Sequence, residues 1–387
     1  MAYEFQETEE MTLLRDTVRK FAREQIAPKA RELDETETFS VEITKAMGEL
    51  GLFGMFVPTE YGGQGLDHLS FVTVVEELAR IDASQAAVVA VNNSLGSGAF
   101  YYFGTEEQKR KYLPDLCSGN GLWSFGLSEA EAGCDAQASK TTAYFDNGTN
   151  EWVINGSKMW ITNSCTPLSL GITVQAVTGR TPDGRVETSC FLVPTNTKGL
   201  TIKPMKGKLM WRASDTGELY FKDLRIPAKN ILGDKGMGFK IMMQMLDGGR
   251  LSIGAMGLGL AQGAFDLALE YAKDRVTFGK KLYEHQVISF KLADMAMRIE
   301  AARNLLYKAT WLRQNNKPYG KEAAMAKLYC AETAEFCARE GQQIFGAYGL
   351  MKEYDIERFY RDATLLRIGE GTNEILRIVI GKHVCRS

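Results

Sequence analysis

The chain has few of the residues that build metal sites and disulfide frameworks. It contains three histidines, His68, His285 and His383, which lie far apart in the sequence, so no metal site is expected. Its seven cysteines are scattered and include no Cys-x-x-Cys pair. An odd number of such cysteines, without a secretion signal, is typical of reduced thiols in a cytosolic compartment. The sequence therefore predicts neither a metal centre nor a disulfide-stapled secreted fold.

An excess of one charge and long apolar runs are also missing. Lys and Arg number 46 against 48 Asp and Glu, a formal net charge of −2. This balance does not favour nucleic-acid binding or docking on an anionic membrane. No uninterrupted apolar run approaches the ~18 residues of a spanning helix, and the start "MAYEFQETEE" has no apolar signal region. We expect a bacterial-type cytoplasmic protein without membrane insertion or a nucleic-acid partner.

The 387 residues are enough for two or three compact units with a large core. Helical periodicity dominates residues 1–121 and returns in residues 233–387, where long helices with short connections favour an antiparallel bundle. Between them, residues 122–232 read as short β-branched or aromatic strands, with "TPDGR" at 181–185 as a hairpin turn. The pattern predicts an α+β, mostly helical protein with a β-domain between two helical domains.

Two stretches of the sequence carry apolar residues at helical spacing, and each predicts which side of a helix is buried. In the first, apolar residues at spacings near three and four predict one buried helix face that Pro28 interrupts. In the second, a broader stripe predicts the core-facing side of a long C-terminal helix. The members are Leu13, Leu14, Val18, Phe21 and Ile26 in the first, and Val287, Phe290, Leu292, Met295, Ile299, Ala302, Leu305 and Leu306 in the second.

Near the carboxyl end, Glu370 stands between two glycines in "RIGEGTNEILRIV". A Gly-Glu-Gly turn holds the backbone loosely and is a poor helix start, but it presents a carboxylate well to a ligand in a cavity. The alternative interpretation is an ordinary acidic residue at the start of a helix.

Two stretches of the β-rich block suit a flat heteroaromatic ligand. In "LSEAEAGCDA", Ser128 and Glu129 precede a small-residue turn whose backbone N–H groups can face an anion or a ring carbonyl. In "KMWITN", strand alternation places Trp160 and Thr162 on one face, where an indole stacks and a hydroxyl bonds to a ring nitrogen. The alternatives are a surface loop with an Asp cap and a half-buried strand.

Three further stretches offer charge or close backbone approach. "DGGRLS" places Asp247 and Arg250 at the predicted start of a long helix. "DRVTFGKKLYEHQ" surrounds a Phe-Gly turn with Arg275 and two lysines, which suits a phosphate unless the stretch is a solvated loop. "QQIFGAYGL" sets Gln343 beside glycines that either admit a ligand or cap a helix. "GLGLAQG" is rejected as a dinucleotide loop because no strand precedes it. Together, the stretches suit a large flat cofactor with phosphates.

These motifs, in this order, resemble the flavin-dependent acyl-CoA dehydrogenases over essentially the whole chain. "LSEAEAGCDA" is similar to the family's flavin and thioester turn, and "MWITN" to its flavin-wall strand. "DRVTFGKKLYEHQ" and "QIFGAYG" resemble its two adenine-dinucleotide contacts, which the neighbouring subunit supplies. "YRDATLLRIGEGTNEILRIVIG" resembles the segment that carries the catalytic base, and "VPTEYGGQG" an N-terminal signature.

The resemblance implies an N-terminal helical domain, a middle β-barrel-like domain and a C-terminal four-helix bundle, usually in a homotetramer. It also implies one FAD per subunit and oxidation of an acyl-CoA thioester to the trans-2-enoyl-CoA, with the hydride passing to flavin N5. Electrons then leave through an electron-transferring flavoprotein. Glu370 would remove the α-proton. Members that lack this glutamate carry the base one residue before the arginine of "DGGR", which is Gly249 here, so Glu370 is the only candidate.

The same matching assigns expected roles to other residues. Around the flavin ring it places Leu127, Ser128, Trp160 and Thr162. The residues expected to hold the adenine half of FAD are Arg275, Phe278, Gln286, Gln343 and Ala347. Thr372 and Glu374 are expected to make further contacts with the dinucleotide. The acyl-CoA is expected to touch Cys134, Asp247, Arg250 and Gly371.

Several positions depart from the family pattern. Ser128 stands for Thr, Ala130 for Pro, Cys134 for Ser, Ala347 for Gly, and Gly369 for a frequent Tyr. Ala86 stands near the place where glutaryl-type enzymes carry an arginine, so a dicarboxylyl substrate lacks its anchor. We expect a short- to medium-chain acyl-CoA, with branched and cyclic chains included. The alternatives are enoyl-CoA reduction, an acyl-CoA oxidase or flavin monooxygenase on the same fold, and a non-enzymatic helical binding protein.

Overall fold

A computed structural model describes residues 8–386 of the chain. Its first part is helical and ends shortly before the first strand. The helices are α1 Glu9–Phe21, α2 Ala27–Thr36, α3 Val41–Glu49, α4 His68–Ala79, α5 Ala83–Val91, α6 Gly98–Phe103 and α7 Glu106–Ser118.

The N-terminal helices bury one face, but two details of the prediction are wrong. Val18 and Ile26 are buried as expected, whereas Leu13 is exposed because it lies off the face that they share. Pro28 does not end the helical path. A π-helical turn at Ala22–Ile26 joins α1 to α2, and Pro28 sits in the first turn of α2, where its missing N–H is not needed.

The middle part is a mixed sheet of eight strands. The predicted hairpin turn at 181–185 joins β4 to β5 and is confirmed: Thr181 N–H donates to the Arg185 carbonyl at 2.9 Å. The buried apolar side chains of these strands form a cluster of their own, around Trp152, Phe191 and Leu219. The strands are β1 Leu122–Gly126, β2 Thr142–Asp146, β3 Glu151–Thr162, β4 Ser169–Arg180, β5 Val186–Pro194, β6 Leu200–Pro204, β7 Thr216–Pro227 and β8 Ile231–Leu232, with the order β6-β7-β3-β2-β4-β5-β8 and β1 alongside β4.

The last part is a bundle of long helices interrupted by one small hairpin. The longest helix, α8, packs against α10, α9 and the earlier α4, and so joins the two helical parts in one core. The elements are α8 Gly238–Asp274, β9 Val276–Thr277, β10 Lys280–Lys281, α9 Gln286–Gln314, α10 Gly320–Phe345, α11 Ile356–Leu366 and α12 Asn373–Arg386.

The predicted start of α8 at Asp247 is wrong, because the helix already begins at Gly238. The residues before Asp247 continue its buried side, since Ile241, Met242 and Met245 are buried. Within residues 8–386, α8 is the one helix long and apolar enough to cross a membrane, but 78% of that stretch is buried inside the protein. It therefore occupies the position of a core helix.

The predicted stripe of α9 is confirmed for its middle and wrong for its first turn. Leu292, Met295 and Ile299 are buried, whereas Val287 and Phe290 are exposed. Val287 and Phe290 lie off the helix face that the three buried residues share. The predicted stripe was therefore wider than the face that is buried.

Candidate active site

Glu370 lies in the turn between α11 and α12 with left-handed backbone, φ 52°. The following Gly371 also has a positive φ, 94°. A non-glycine residue in this region is strained, and such residues cluster at functional sites. The residue as a whole is half-buried, but its Oε2 atom is buried and has no hydrogen-bond partner among residues 8–386. The turn thus holds a carboxylate oxygen inside the protein, where no described residue donates a hydrogen bond to it.

Two helices face this carboxylate. On α8 the neighbour is Gly249, where an added Cβ would stand 2.1 Å from Glu370 Oε2, so the carboxylate rests against bare backbone. The next residue, Arg250, is buried and forms an ion pair with Asp247. On α10, the Lys327 ammonium donates to the carbonyl of Gly371 at 2.8 Å.

Burial raises the pKa of Glu370 to about 7, although the positive charges of Lys327 and Arg250 oppose the shift. Burial also raises the pKa of Asp247, opposed by Arg250 and by more distant cations. A carboxyl group that titrates near pH 7 is present in both protonation states at neutral pH. That is the condition under which a carboxylate works well as a general base.

A second group of predicted residues meets where β3 approaches the loop after β1. Met159 N–H donates to the Ser128 carbonyl at 3.0 Å, which ties the loop to the strand segment next to Trp160. Trp160 stands in a β-bulge with φ 60° and is 55% exposed, while Ile161 is buried and Thr162 is half-buried. The bulge, rather than regular alternation, turns the indole outward.

A buried ion pair supports this loop from behind. Lys158 is fully buried and donates to Glu129 Oε1 at 2.7 Å, to the Leu127 carbonyl at 3.0 Å and to Ser139 Oγ at 3.3 Å. The Glu129 carboxylate also accepts the Lys140 N–H at 2.7 Å. Burial alone would raise the pKa of Glu129, but the charge and hydrogen bond of Lys158 and the Ser139 hydroxyl outweigh it and lower the pKa to about 2.

The same loop then reaches the Glu370 turn. The exposed Cys134 places its Sγ 3.8 Å from Thr372 Oγ1. Thr372 also caps α12, because its hydroxyl accepts the Ile375 N–H at 3.3 Å, and Glu374 lies in the first turn of that helix. Residues from the β-domain and from the C-terminal bundle therefore meet beside the Glu370 turn.

The remaining predicted residues form a separate group at the β9–β10 hairpin. Phe278, at the hairpin tip, is 97% exposed with φ 52°, and Gln286 begins α9. The Arg275 guanidinium lies 5.9 Å from the ring centroid of Tyr348, which follows Ala347.

Gln343, in the last turn of α10, accepts the backbone N–H of Gly346 through its own carbonyl. Ala347 has no positive φ, so alanine stands there without backbone strain. The ring contact of Arg275 and the hydrogen bond of Gln343 both stay within this group, and neither involves a residue of the Glu370 turn.

Two buried lysines in these sites were not singled out from the sequence. Lys327 lies among the alanines of "AAMAKLYCA", and helical spacing places it on the same side as Ala323, Ala324 and Ala331, all buried. Lys158 lies in an alternating strand. A lysine on the buried face of an element is the signal that could have found both, because an unpaired lysine is almost never fully buried.

Models of three protein-family domains match the chain. They are the acyl-CoA dehydrogenase N-terminal domain over residues 8–120, the middle domain over 124–224 and the C-terminal domain over 236–385. The chain belongs to the acyl-CoA dehydrogenase family. The fold expected from the resemblance is confirmed by these matches.

Curated relatives cover almost the whole chain. A probable acyl-CoA dehydrogenase of Bacillus subtilis, YngJ, is 47% identical over 99% of this chain and 100% of its own length. The human mitochondrial short-chain specific acyl-CoA dehydrogenase is 45% identical over 99% of this chain and 92% of its own length.

Solved structures agree over the same extent. Butyryl-CoA dehydrogenase from Megasphaera elsdenii superposes with a TM-score of 0.95 at 39% identity, covering 99% of this chain and 100% of that one. A chain in a structure of the electron transferring flavoprotein of Acidaminococcus fermentans superposes with a TM-score of 0.94 at 38% identity, covering 100% of both chains. A glutaryl-CoA dehydrogenase from Mycobacterium smegmatis, in complex with FADH2, superposes with a TM-score of 0.92 at 30% identity, covering 98% of this chain and 96% of that one.

Proposed function

We propose that the protein oxidises a short-chain acyl-CoA to the trans-2-enoyl-CoA, with Glu370 as the base that removes the α-proton. The observation that carries this proposal is the state of the Glu370 carboxylate. Its Oε2 atom is buried without a hydrogen-bond partner in the described residues, and a left-handed turn holds it against Gly249. A carboxylate that only started a helix would face solvent and the N–H groups of that helix.

FAD fits two groups of residues, one where β3 approaches the loop after β1 and one at the β9–β10 hairpin. Trp160 presents a 55% exposed indole beside the half-buried Thr162, which suits an aromatic ring system, and Arg275 offers a cation at the exposed hairpin. Bound FAD supplies the acceptor for the β-hydride. In this proposal Leu127, Ser128, Trp160 and Thr162 face the flavin. The dinucleotide contacts are Arg275, Phe278, Gln286, Gln343, Ala347, Thr372 and Glu374, several of them on a neighbouring copy of the chain.

The chain's own part in the reaction is proton removal and polarisation of the thioester. A C–H bond next to a thioester is only weakly acidic, so its carbonyl must receive a hydrogen bond while the proton leaves. We assign that donor to the backbone N–H of Glu370, which the small neighbours Gly369 and Gly371 leave accessible. Cys134, Asp247, Arg250 and Gly371 line the path of the acyl-CoA. The ionised Glu370 then takes the α-proton on Oε2.

The substrate, acceptor and assembly are the finer parts of the proposal. The short-chain and butyryl-CoA relatives support a short acyl chain, and Ala86, buried on α5, offers no cation for a second carboxylate. The flavoprotein structure supports an electron-transferring flavoprotein as acceptor. Exposed apolar residues at Val287, Phe290 and Phe278 support a homotetramer. We place the domains at 1–121, 122–232 and 233–387, in a cytoplasmic protein.

The test is an anaerobic titration of the purified yellow protein with saturated acyl-CoAs of increasing length, followed by flavin absorbance. We expect a short-chain thioester to bleach the flavin. Glu370→Gln should still bind FAD and acyl-CoA, but should bleach slower by several orders of magnitude. Glu353→Gln, an exposed carboxylate on the loop before α11, is the matched control and should bleach like the wild type.

Three outcomes would contradict parts of this assignment. Near-normal bleaching by Glu370→Gln removes the base role. A flavin that only enoyl-CoAs reoxidise, and that no saturated thioester bleaches, indicates the reductive direction. Rapid reoxidation of the bleached flavin by air, without a flavoprotein acceptor, indicates an oxidase.

A further inference from the structure

Lys327 is a fully buried lysine beside the Glu370 turn. It lies on α10, and the residues one helical turn away on either side, Ala323, Ala324 and Ala331, are all buried. Its ammonium donates to the carbonyl of Gly371 at 2.8 Å, across 44 residues of sequence. Within residues 8–386, it forms no ion pair at contact distance with a carboxylate.

Burying such a cation is unfavourable unless it is paired. An ammonium carries three donors, and removing it from water is strongly unfavourable, whereas a methionine of similar size would pack here without that penalty. Burial accordingly lowers the pKa of Lys327 to about 8, opposed first by the charge of Glu370. The position therefore holds a charge for a reason other than packing.

The charges around Glu370 single out Lys327. On α8 the facing cation is Arg250, and it is already paired with Asp247. On α10 the facing cation is Lys327, whose contact is the carbonyl of the residue after Glu370. On α12, Glu374 acts on Lys327 but lies on the solvent side. Of the two cations that face Glu370 in the described part of the chain, Lys327 is thus the one that no other carboxylate binds.

We propose that Lys327 is a positioning residue for the base: its ammonium holds the Gly371 carbonyl, and with it the left-handed turn, and faces the Glu370 carboxylate with a positive charge. The inference rests on the proposed function of Glu370. In this proposal Lys327 contacts neither the acyl chain nor the reacting carbon. It acts through the turn and through the field at Oε2.

The first test compares pH profiles of kcat/KM for wild type, Lys327→Met and Lys327→Arg. Without the cation the ionised form of Glu370 is less favoured, so the acid limb of Lys327→Met should move up by about 1 pH unit. At pH 7 that shift lowers the ionised fraction of Glu370 about fivefold, and kcat/KM should fall by about the same factor. The guanidinium of Lys327→Arg should restore the position of the limb. Lys321→Met removes an exposed cation from the same helix and should leave the profile unchanged.

The second test needs no turnover. A difference infrared titration, with Glu370→Gln to identify the band, follows the protonated carboxyl of Glu370 directly. Its midpoint should rise in Lys327→Met by the same amount as the kinetic limb. If Lys327→Met does not retain FAD, Lys327→Gln, also neutral, takes its place.

The outcomes separate the two proposals. Midpoints that stay at the wild-type pH in both neutral variants would overturn the inference, as would an acid limb shifted equally by Lys321→Met. Lower activity with an unmoved limb leaves only a structural role and also overturns it. If no acyl-CoA bleaches the wild type, the proposed function fails, while the infrared titration still decides the coupling.

Discussion

Replacing Glu370 with glutamine should stabilise the folded protein increasingly as the pH rises. The carboxyl group has a reference pKa of 4.5, and burial raises it to about 7 in the folded chain. A raised pKa means that the folded state holds the proton more tightly. The stability that this contributes is complete below pH 4.5 and is lost as the pH rises through 7. Glutamine stays neutral and does not incur this loss.

The magnitude follows from the size of the shift. A change from 4.5 to about 7, at about 1.4 kcal/mol per pKa unit, gives about 3 kcal/mol at alkaline pH. At pH 5.5 the wild type has already lost about 1.4 kcal/mol of this stability. The difference in free energy of unfolding between Glu370→Gln and the wild type should therefore grow by about 2 kcal/mol between pH 5.5 and 8.5. For a chain of 387 residues this corresponds to a Tm difference that widens by about 2 °C.

The assay is thermal unfolding of substrate-free holoprotein in matched buffers, followed by circular dichroism. The control is Glu353→Gln, which removes an exposed carboxylate from the loop before α11. Its Tm should keep a constant offset from the wild type over the whole range. If the offset of Glu370→Gln is equally constant, the carboxylate is not desolvated and the reasoning about the turn is refuted.

Three other substitutions test neighbouring parts of the site. Gly249→Ala places a Cβ about 2.1 Å from Glu370 Oε2 and should lower kcat at least tenfold with FAD retained; unchanged kcat would show that the carboxylate lies elsewhere. Lys158→Met leaves Glu129 buried without its cation and should destabilise the protein by about 3 to 5 kcal/mol in urea unfolding, whereas an unchanged midpoint contradicts the ion pair. Arg275→Ala should weaken FAD retention on gel filtration, and full flavin content would reject its phosphate role.

Short sequence patterns predicted a turn correctly but misplaced two helix boundaries. The turn at 181–185 could be identified because its residues already favour a hairpin, and the structure places it between β4 and β5. The Pro28 prediction failed because a proline ends a helix only where its N–H is needed, and a π-helical turn places it at the start of α2. The start of α8 was missed because the Asp signal at 247 is local, whereas burial of Met242 and Met245 extends the helix backward.

By itself, the amino-acid sequence determined the order of the three parts, the hairpin turn at 181–185 and the motifs that carry the family resemblance, since these depend on neighbouring residues and on composition. Only the tertiary structure decided how distant residues meet. Helix–helix contacts bring Gly249 and Lys327 to the Glu370 turn, and the loop after β1 brings Cys134 to Thr372. The electrostatics of the carboxylate are set by this assembly, because desolvation and opposing charges depend on what surrounds an atom in space and not on its neighbours along the chain.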